Sequence, residues 1–312
     1  MERIWKNTAL LFAGQGAQTV GMGRDLCEKY PASRQVFARA NAVLGRDLQQ
    51  ICFEGPESVL TQTDNAQPGI FVTSLACWAA LQAEVPDLTF AAAAGLSLGE
   101  LTALTAAGAF SFEDGLHIVQ ARGRFMQEAC AATNGAMASI IGLDDTVLEQ
   151  VCRETDVDLA NLNCPGQTVI SGDKEKIARA VELAKTKGAK RAIPLTVAGA
   201  YHSRLMATAQ HNFASLLAGV PVRDPVALVV SNVTGRPAQS ADETKKLLVR
   251  QITSAVRWTD SMRWLIGQGF TRFIELGPGT VLTGLMKRID KNVEMLNVSD
   301  CASLAATVAA LR

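Results

Sequence analysis

Gly95-Leu96-Ser97-Leu98-Gly99-Glu100 is the stretch on which the reading of this chain turns. Before it, Leu88-Thr89-Phe90-Ala91-Ala92-Ala93-Ala94 is an apolar run of strand length ending in small residues. After it, Leu101 to Ala107 has the composition of a buried helix that Gly108 can stop. Strand, G-x-S-x-G, helix is the setting of a nucleophile elbow. Glycines flank the serine because the turn leaves no room for side chains, and the hydroxyl of Ser97 is pushed out at the strand's carboxyl edge. The helix N-terminus then offers free N–H groups and a positive dipole end to a developing oxyanion. The alternative is an ordinary glycine-rich turn; the flanking pattern favours the elbow.

A second polar position stands out beyond the elbow. Ser111-Phe112-Glu113-Asp114 resembles a capping box and predicts a helix to about Cys130. On its wheel Arg122 falls among Gly115, Ile118, Val119, Phe125, Met126 and Ala129, whereas Arg124 joins His117, Gln120, Gln127 and Glu128 on the polar face. An arginine in an apolar stripe is costly unless paired with an anion, so its partner is either a structural carboxylate or a ligand.

A base for Ser97 must come from one of three histidines. His117 lies on a polar helix face and His211 in mid-helix. His202, in Gly199-Ala200-Tyr201-His202-Ser203, follows a strand and precedes a helix expected over 205–217, and is the best placed.

The rest of the chain supplies an α/β frame. Ala9 to Ala13 reads as a buried strand leading into Gly14-Gln15-Gly16-Ala17-Gln18. The third glycine of a dinucleotide fingerprint would fall at Thr19 and is absent, so Gln15 is either a site amide or a solvated turn residue. Helical pattern fills 24–81, broken at Gly45, Gly55-Pro56 and Pro68, with Gln67-Pro68 opening a long apolar helix over 69–81. Between 136 and 197 the order is strand 136–143, helix 146–153, strands 157–162 and 167–171, a helix capped by Asp173 and a strand over 190–197. This is βαββαβ, the ferredoxin-like split motif. It is expected as a small domain at 132–198, inserted into a larger α/β domain of 1–131 and 199–312 with a mainly parallel sheet. Strands at 228–232 and 272–276, and helices at 245–252, 259–267 and to about 288, complete that domain.

Composition excludes several classes. Hydrophobic residues make up 48% and charged residues 19%, a well-packed globular profile. Zero formal net charge gives no global pull toward nucleic acid or membrane, and no apolar run reaches a span's ~20 residues. Seven cysteines form no C-x-x-C pair, and no two histidines are spaced i,i+4, so neither metal nor cofactor is expected and reduced thiols suit a cytoplasmic enzyme.

Taken together, Gly14 to Gln18, Gln67-Pro68, Gly95 to Glu100, Arg122, Asn161 to Gln167, Gly199 to Ser203 and Glu275 to Gly279 resemble the malonyl-CoA:acyl carrier protein transacylases of bacterial type II fatty acid synthesis, relatives of polyketide synthase acyltransferase domains. The resemblance runs from about Thr8 to about Val298. It implies a hydrolase-like α/β core with a ferredoxin-like insert, Ser97 as nucleophile and His202 as base. It implies an oxyanion hole from the N–H groups of Gln15 and Leu98, and substrate binding by Arg122, Gln67 and Asn163. It also implies malonyl-CoA and acyl carrier protein as partners, with a monomeric enzyme expected. In such enzymes a main-chain carbonyl orients the histidine, and the matching segment here is Ser254-Ala255-Val256-Arg257-Trp258. Leu96, Tyr201 and Ser254-Ala255 depart from the usual histidine, phenylalanine and asparagine-proline.

The rivals are a transacylase of malonate decarboxylase or a polyketide pathway, a serine esterase, and a non-catalytic carrier-protein docking module. An esterase of this class carries its histidine near the C-terminus, whereas 110 residues follow His202. An intact Ser97 and His202 weigh against the docking module.

Overall fold

The computed structural model describes residues 5–312. Strand β1 (Thr8–Phe12) is wholly buried, and its side chains divide by parity. Leu10 and Phe12 enter one core cluster, Ala9 and Leu11 another on the opposite face, as expected of a central strand covered on both sides. Five helices follow: α1 (Arg24–Lys29), α2 (Pro31–Leu44), α3 (Leu48–Glu54), α4 (Glu57–Leu60) and α5 (Thr63–Glu84). Next come β2 (Ala92–Gly95), α6 (Leu98–Ala106) and α7 (Phe112–Ala131), the last capped by Ser111, whose Oγ accepts from Asp114 N–H.

A second unit follows: β3 (Gly135–Ile141), α8 (Asp145–Thr155), β4 (Asp158–Cys164), β5 (Gln167–Asp173), α9 (Lys174–Thr186) and β6 (Arg191–Pro194). Its strands pair antiparallel in the order β4-β5-β3-β6, the ferredoxin-like arrangement. α8 and α9 cover one face around Ile140, Leu148, Val151, Ile170, Ile177 and Val181, a core cluster of its own. The chain returns through a 3-10 turn (Arg204–Met206) to α10 (Ala207–Ala218), β7 (Leu228–Val229), α11 (Ala241–Gln251), α12 (Trp258–Gly267), β8 (Arg272–Leu276), α13 (Val281–Ile289), β9 (Glu294–Val298) and α14 (Cys301–Leu311). The large sheet is parallel throughout, in the order β7-β2-β1-β8-β9. Its central strands end together at one edge, where α/β proteins place their sites.

Four expectations need correction. Pro68 does not open α5, which begins at Thr63 with the proline inside it. Proline cannot bond the carbonyl four residues back. That carbonyl, of Asp64, instead accepts from Arg46 Nη2 at 3.1 Å, so a long-range contact replaces the missing bond. The strand expected over 190–197 is regular only to Pro194; Leu195 N–H makes one more bond, to the Met137 carbonyl, and the chain then turns, with Val197 N–H on the Leu195 carbonyl. The strand expected over 228–232 is regular only at Leu228–Val229, because the Asn232 side chain takes the carbonyl of Gly95 that the ladder would have used. β9 and α14 lie beyond what the sequence pattern indicated: β9 is a half-exposed edge strand without clean alternation, whereas α14 carried a legible cap in Asp300 and Ser303.

Glu275, expected within a family motif, is a structural acceptor. Fully buried in β8, it takes the N–H groups of Leu282 (2.9 Å) and Thr283 (2.7 Å) at the start of α13. Glu275→Ala strands both donors and is expected to cost about 1–3 kcal/mol, read as a lowered urea midpoint at unchanged m-value; a shift no larger than that of an exposed control would remove this role.

Candidate active site

The elbow is built by two close approaches. A Cβ on Gly95 would lie 1.9 Å from the carbonyl carbon of Gly99, and one on Gly99 would lie 2.2 Å from the carbonyl oxygen of Phe12. Both positions therefore admit only glycine, and α6 packs against β1 and β2 at backbone distance. Ser97 between them takes φ 54°, a left-handed conformation costly for a non-glycine residue. Its backbone is held on both sides: Ser97 N–H donates to Asn232 Oδ1 at 2.7 Å, and its carbonyl accepts from Gln251 Nε2 at 3.0 Å.

His202 is buried and also has positive φ, 58°. Its Nε2 lies 2.7 Å from Ser97 Oγ and its Nδ1 2.8 Å from the carbonyl oxygen of Gln251. A carbonyl only accepts, so Nδ1 carries the proton and Nε2 is left to accept from the serine hydroxyl. The orienting carbonyl is thus that of Gln251, the last residue of α11, upstream of the segment expected at 254–258; the Ser254 backbone adds a second contribution. Burial, and then the positive charge of Arg122, push the imidazole down to about 4. The ring is neutral at physiological pH and poised to accept a proton.

Arg122 is 1% exposed and forms no ion pair among the described residues. Its guanidinium is held by neutral acceptors: Nη1 donates to Gln67 Oε1 (2.7 Å), and Nη2 to Ser97 Oγ and Gln251 Oε1 (both 2.9 Å). Its Nε has no partner among the described residues. Burial lowers its pKa to about 10, which leaves it charged. Ser97 Oγ therefore donates its hydrogen bond to His202 and accepts one from Arg122.

Gln15 stands across from this pair. Its Oε1 accepts from Gln67 Nε2 (3.2 Å), and its Nε2 lies 3.4 Å from Thr63 Oγ1 and 3.5 Å from the Tyr201 hydroxyl, itself 2.6 Å from Thr63. Among the described residues its backbone N–H makes no hydrogen bond. Leu98 N–H, the first of α6, has no intrahelical acceptor either. Ser97, His202, Arg122, Gln67 and Gln15 are thus brought together with the Leu98 backbone. Asn163, in β4, takes no part in this hydrogen-bond network. His117 and His211 are exposed and lie outside it.

Three polar residues of the site escaped the sequence reading. Glu100 directly follows the elbow and was legible as its neighbour. Asn232 closes an apolar run, and Gln251 sits in an amphipathic helix, where nothing local sets either apart. Among the described residues no cluster of three or more His, Cys, Asp or Glu side chains is placed to hold a metal, and no helix is long and apolar enough to cross a membrane.

Residues 9–307 match the acyl transferase domain family. The malonyl CoA-acyl carrier protein transacylase of Bacillus subtilis is 43% identical over 311 residues, 97% of either chain. The crystal structure of an acyl carrier protein S-malonyltransferase from Vibrio cholerae superposes with a TM-score of 0.93 at 41% identity, covering 97% of this chain and 100% of that one. A type II PKS acyl-carrier protein in complex with its malonyl-transacylase gives 0.93 at 40% identity, with 97% and 99% covered.

The electrostatics are open to direct test. With Arg122 removed, the charge that depresses His202 is gone while burial remains. In Arg122→Ala the imidazole pKa is expected to rise from about 4 but stay below the ordinary 6.5, because burial is the larger cause. An NMR titration reads this, with exposed His117 and His211 as internal references; an unmoved His202 would show that the guanidinium does not act on it.

Proposed function

This chain belongs to the acyl transferase family, and on that premise we propose that it moves the malonyl group of malonyl-CoA to the phosphopantetheine thiol of acyl carrier protein, through a malonyl-serine at Ser97. The product is malonyl-acyl carrier protein for fatty acid synthesis. One observation carries the reading. Ser97 Oγ sits 2.7 Å from a neutral, buried histidine and 2.9 Å from a buried guanidinium that has no carboxylate partner among the described residues.

The roles follow from the geometry. Ser97 Oγ attacks the thioester carbonyl while its proton passes to His202 Nε2. The imidazolium so formed is steadied by the Gln251 carbonyl on Nδ1. The tetrahedral oxyanion is received by the N–H groups of Leu98 and Gln15, both without a partner among the described residues. Collapse breaks the carbon–sulfur bond, His202 returns its proton to the CoA thiolate, and the carrier's thiol repeats the sequence in reverse. The free malonyl carboxylate pairs with Arg122, whose orphaned Nε–H is a donor in need of an acceptor. Gln67, fixed between Arg122 and Gln15, positions both, and Asn163 is assigned to substrate binding on the family likeness alone.

We take residues 132–198 as an insert in a core of 1–131 and 199–312; the separate antiparallel sheet and its own apolar cluster support that division. We take the enzyme as a monomer, and its seven free cysteines suit a reducing cytoplasm. For an acidic carrier, the exposed lysines at the end of α9 are partly offset, Lys185 by Glu182 and Lys187 by Glu154. Lys190 and Arg191 form no ion pair among the described residues.

Intact-mass measurement after incubation with malonyl-CoA tests the reading: a malonyl adduct is expected on the wild type and none on Ser97→Ala. His202→Ala should slow adduct formation by about 10²–10⁴. An adduct retained on Ser97→Ala would reject the assignment.

The acyl choice is tested separately. Arg122→Ala is expected to weaken malonyl transfer by about 2–5 kcal/mol while acetyl transfer is unchanged or improved. Arg124→Ala, exposed and paired with Glu128, should leave the preference intact. Equal loss on both substrates would make Arg122 a structural residue.

A further inference from the structure

One buried ionisable group at the site takes no step in this chemistry. Glu100, in the first turn of α6, is 2% exposed. Its Oε2 accepts from Asn232 N–H (2.9 Å) and from Gln251 Nε2 (2.7 Å). Each of these neighbours reaches the reacting residues. Asn232 holds the Ser97 N–H through Oδ1 (2.7 Å) and the Gly95 carbonyl through Nδ2 (2.8 Å). Gln251 holds the Ser97 carbonyl and, through its own carbonyl, His202 Nδ1 (2.8 Å), while its Oε1 receives Arg122 Nη2 (2.9 Å).

We propose that Glu100 is a positioning residue whose ionised carboxylate locks Asn232 and Gln251, and through them Ser97, His202 and Arg122, into the reacting geometry. The inference rests on the roles assigned above to Ser97 and His202.

The donor–acceptor pattern gives the reason for a carboxylate. The Gln251 amide has two orientations of nearly equal shape. With Nε2 toward Glu100 and Oε1 toward Arg122, an acceptor meets a donor at each end; reversed, its oxygen faces a carboxylate and its NH₂ faces a guanidinium. An anion at position 100 and a cation at position 122 thus select one orientation, and the amide between them couples the two buried charges without direct contact. Protonation of Glu100 weakens that selection. The charged group facing the carboxylate is Arg122 from α7; the groups bonded to it are the Asn232 backbone and the Gln251 amide, with the Ser231 hydroxyl beside it. Burial raises its pKa to about 7 against the opposing pull of these hydrogen bonds and of Arg122, so the lock engages as pH rises through neutrality.

The test is single-turnover malonyl-serine formation across pH 6–8.5 in wild type, Glu100→Gln and Glu100→Asp, with malonyl-CoA KM and thermal unfolding measured alongside. Wild-type acylation should accelerate as Glu100 ionises. Glu100→Gln, isosteric but uncharged, should acylate about tenfold more slowly at pH 8, a smaller loss than that of the base itself. Its KM should stay within about twofold, and its rate should lose the acceleration near pH 7. Glu100→Asp should recover part of the rate and a titrating limb. A wild-type rate that is flat near neutrality, a Glu100→Gln rate and profile like wild type, or a loss confined to unfolding temperature each overturns the proposal. Should Glu100→Gln not fold, the wild-type profile and Glu100→Asp decide by the same criteria. Ser97→Ala in parallel separates the premises: an adduct there sinks the nucleophile assignment, whereas its absence beside a normal Glu100→Gln sinks only the role of Glu100.

Discussion

A guanidinium buried with no carboxylate in contact among the described residues is the constraint around which this site is arranged. Desolvating a charge costs several kcal/mol unless its donors are met. Arg122 meets that cost with neutral acceptors: the amide oxygens of Gln67 and Gln251 and the hydroxyl of Ser97. Each of the two amides is then fixed by its own next partner, Gln67 by Gln15 and Gln251 by Glu100. Burial keeps His202 neutral and the positive field of Arg122 adds to it, while a hydroxyl that accepts from Arg122 turns its proton toward the imidazole. One buried charge thereby orders the nucleophile, the base and the oxyanion loop.

Backbone strain is the second requirement, and it is met by packing. Ser97 and His202 both sit at positive φ, near 54° and 58°, where a side chain is disfavoured. Such conformations persist only where the surroundings over-determine them. Around Ser97 the restraint is the approach of Gly95 and Gly99 to neighbouring backbone, together with the two amide contacts from Asn232 and Gln251. Around His202 it is the Gln251 carbonyl and the next few residues of the chain. Arg204 spans from that loop to the small sheet, its Nη2 2.7 Å from Asp158 and its Nη1 2.5 Å from Asp156. An exposed ion pair contributes little to stability, but a forked one fixes direction, and this one ties the base-bearing loop to β4. The small unit is also joined to the core by backbone, Leu162 N–H to the Val256 carbonyl and Val256 N–H to that of Ala160.

Much of this was legible in the chain. A parallel core needs both faces apolar, so the runs at Ala9–Ala13 and Leu88–Ala94 announced central strands, and the period change at Ala136 announced the antiparallel unit. Ser97 was legible because only glycine tolerates the approaches on either side of it, and Arg122 because a helical wheel exposes a charge in an apolar stripe. These are local signals, set by steric and periodic rules that act within a few residues.

What the sequence did not determine is whatever depends on which atoms meet across the fold. Pro68 reads as a helix start, yet the carbonyl it leaves free is taken by Arg46, eighteen residues away in sequence from Asp64. The carbonyl that orients His202 belongs to Gln251, in a helix with no local mark of function. Asn232 and Glu100 become site residues only because β7 and α6 are neighbours at the sheet edge. Hydrogen-bond satisfaction in a buried volume is a property of the closed assembly: each donor's partner is chosen by the packing of distant segments, and only the tertiary structure decides it.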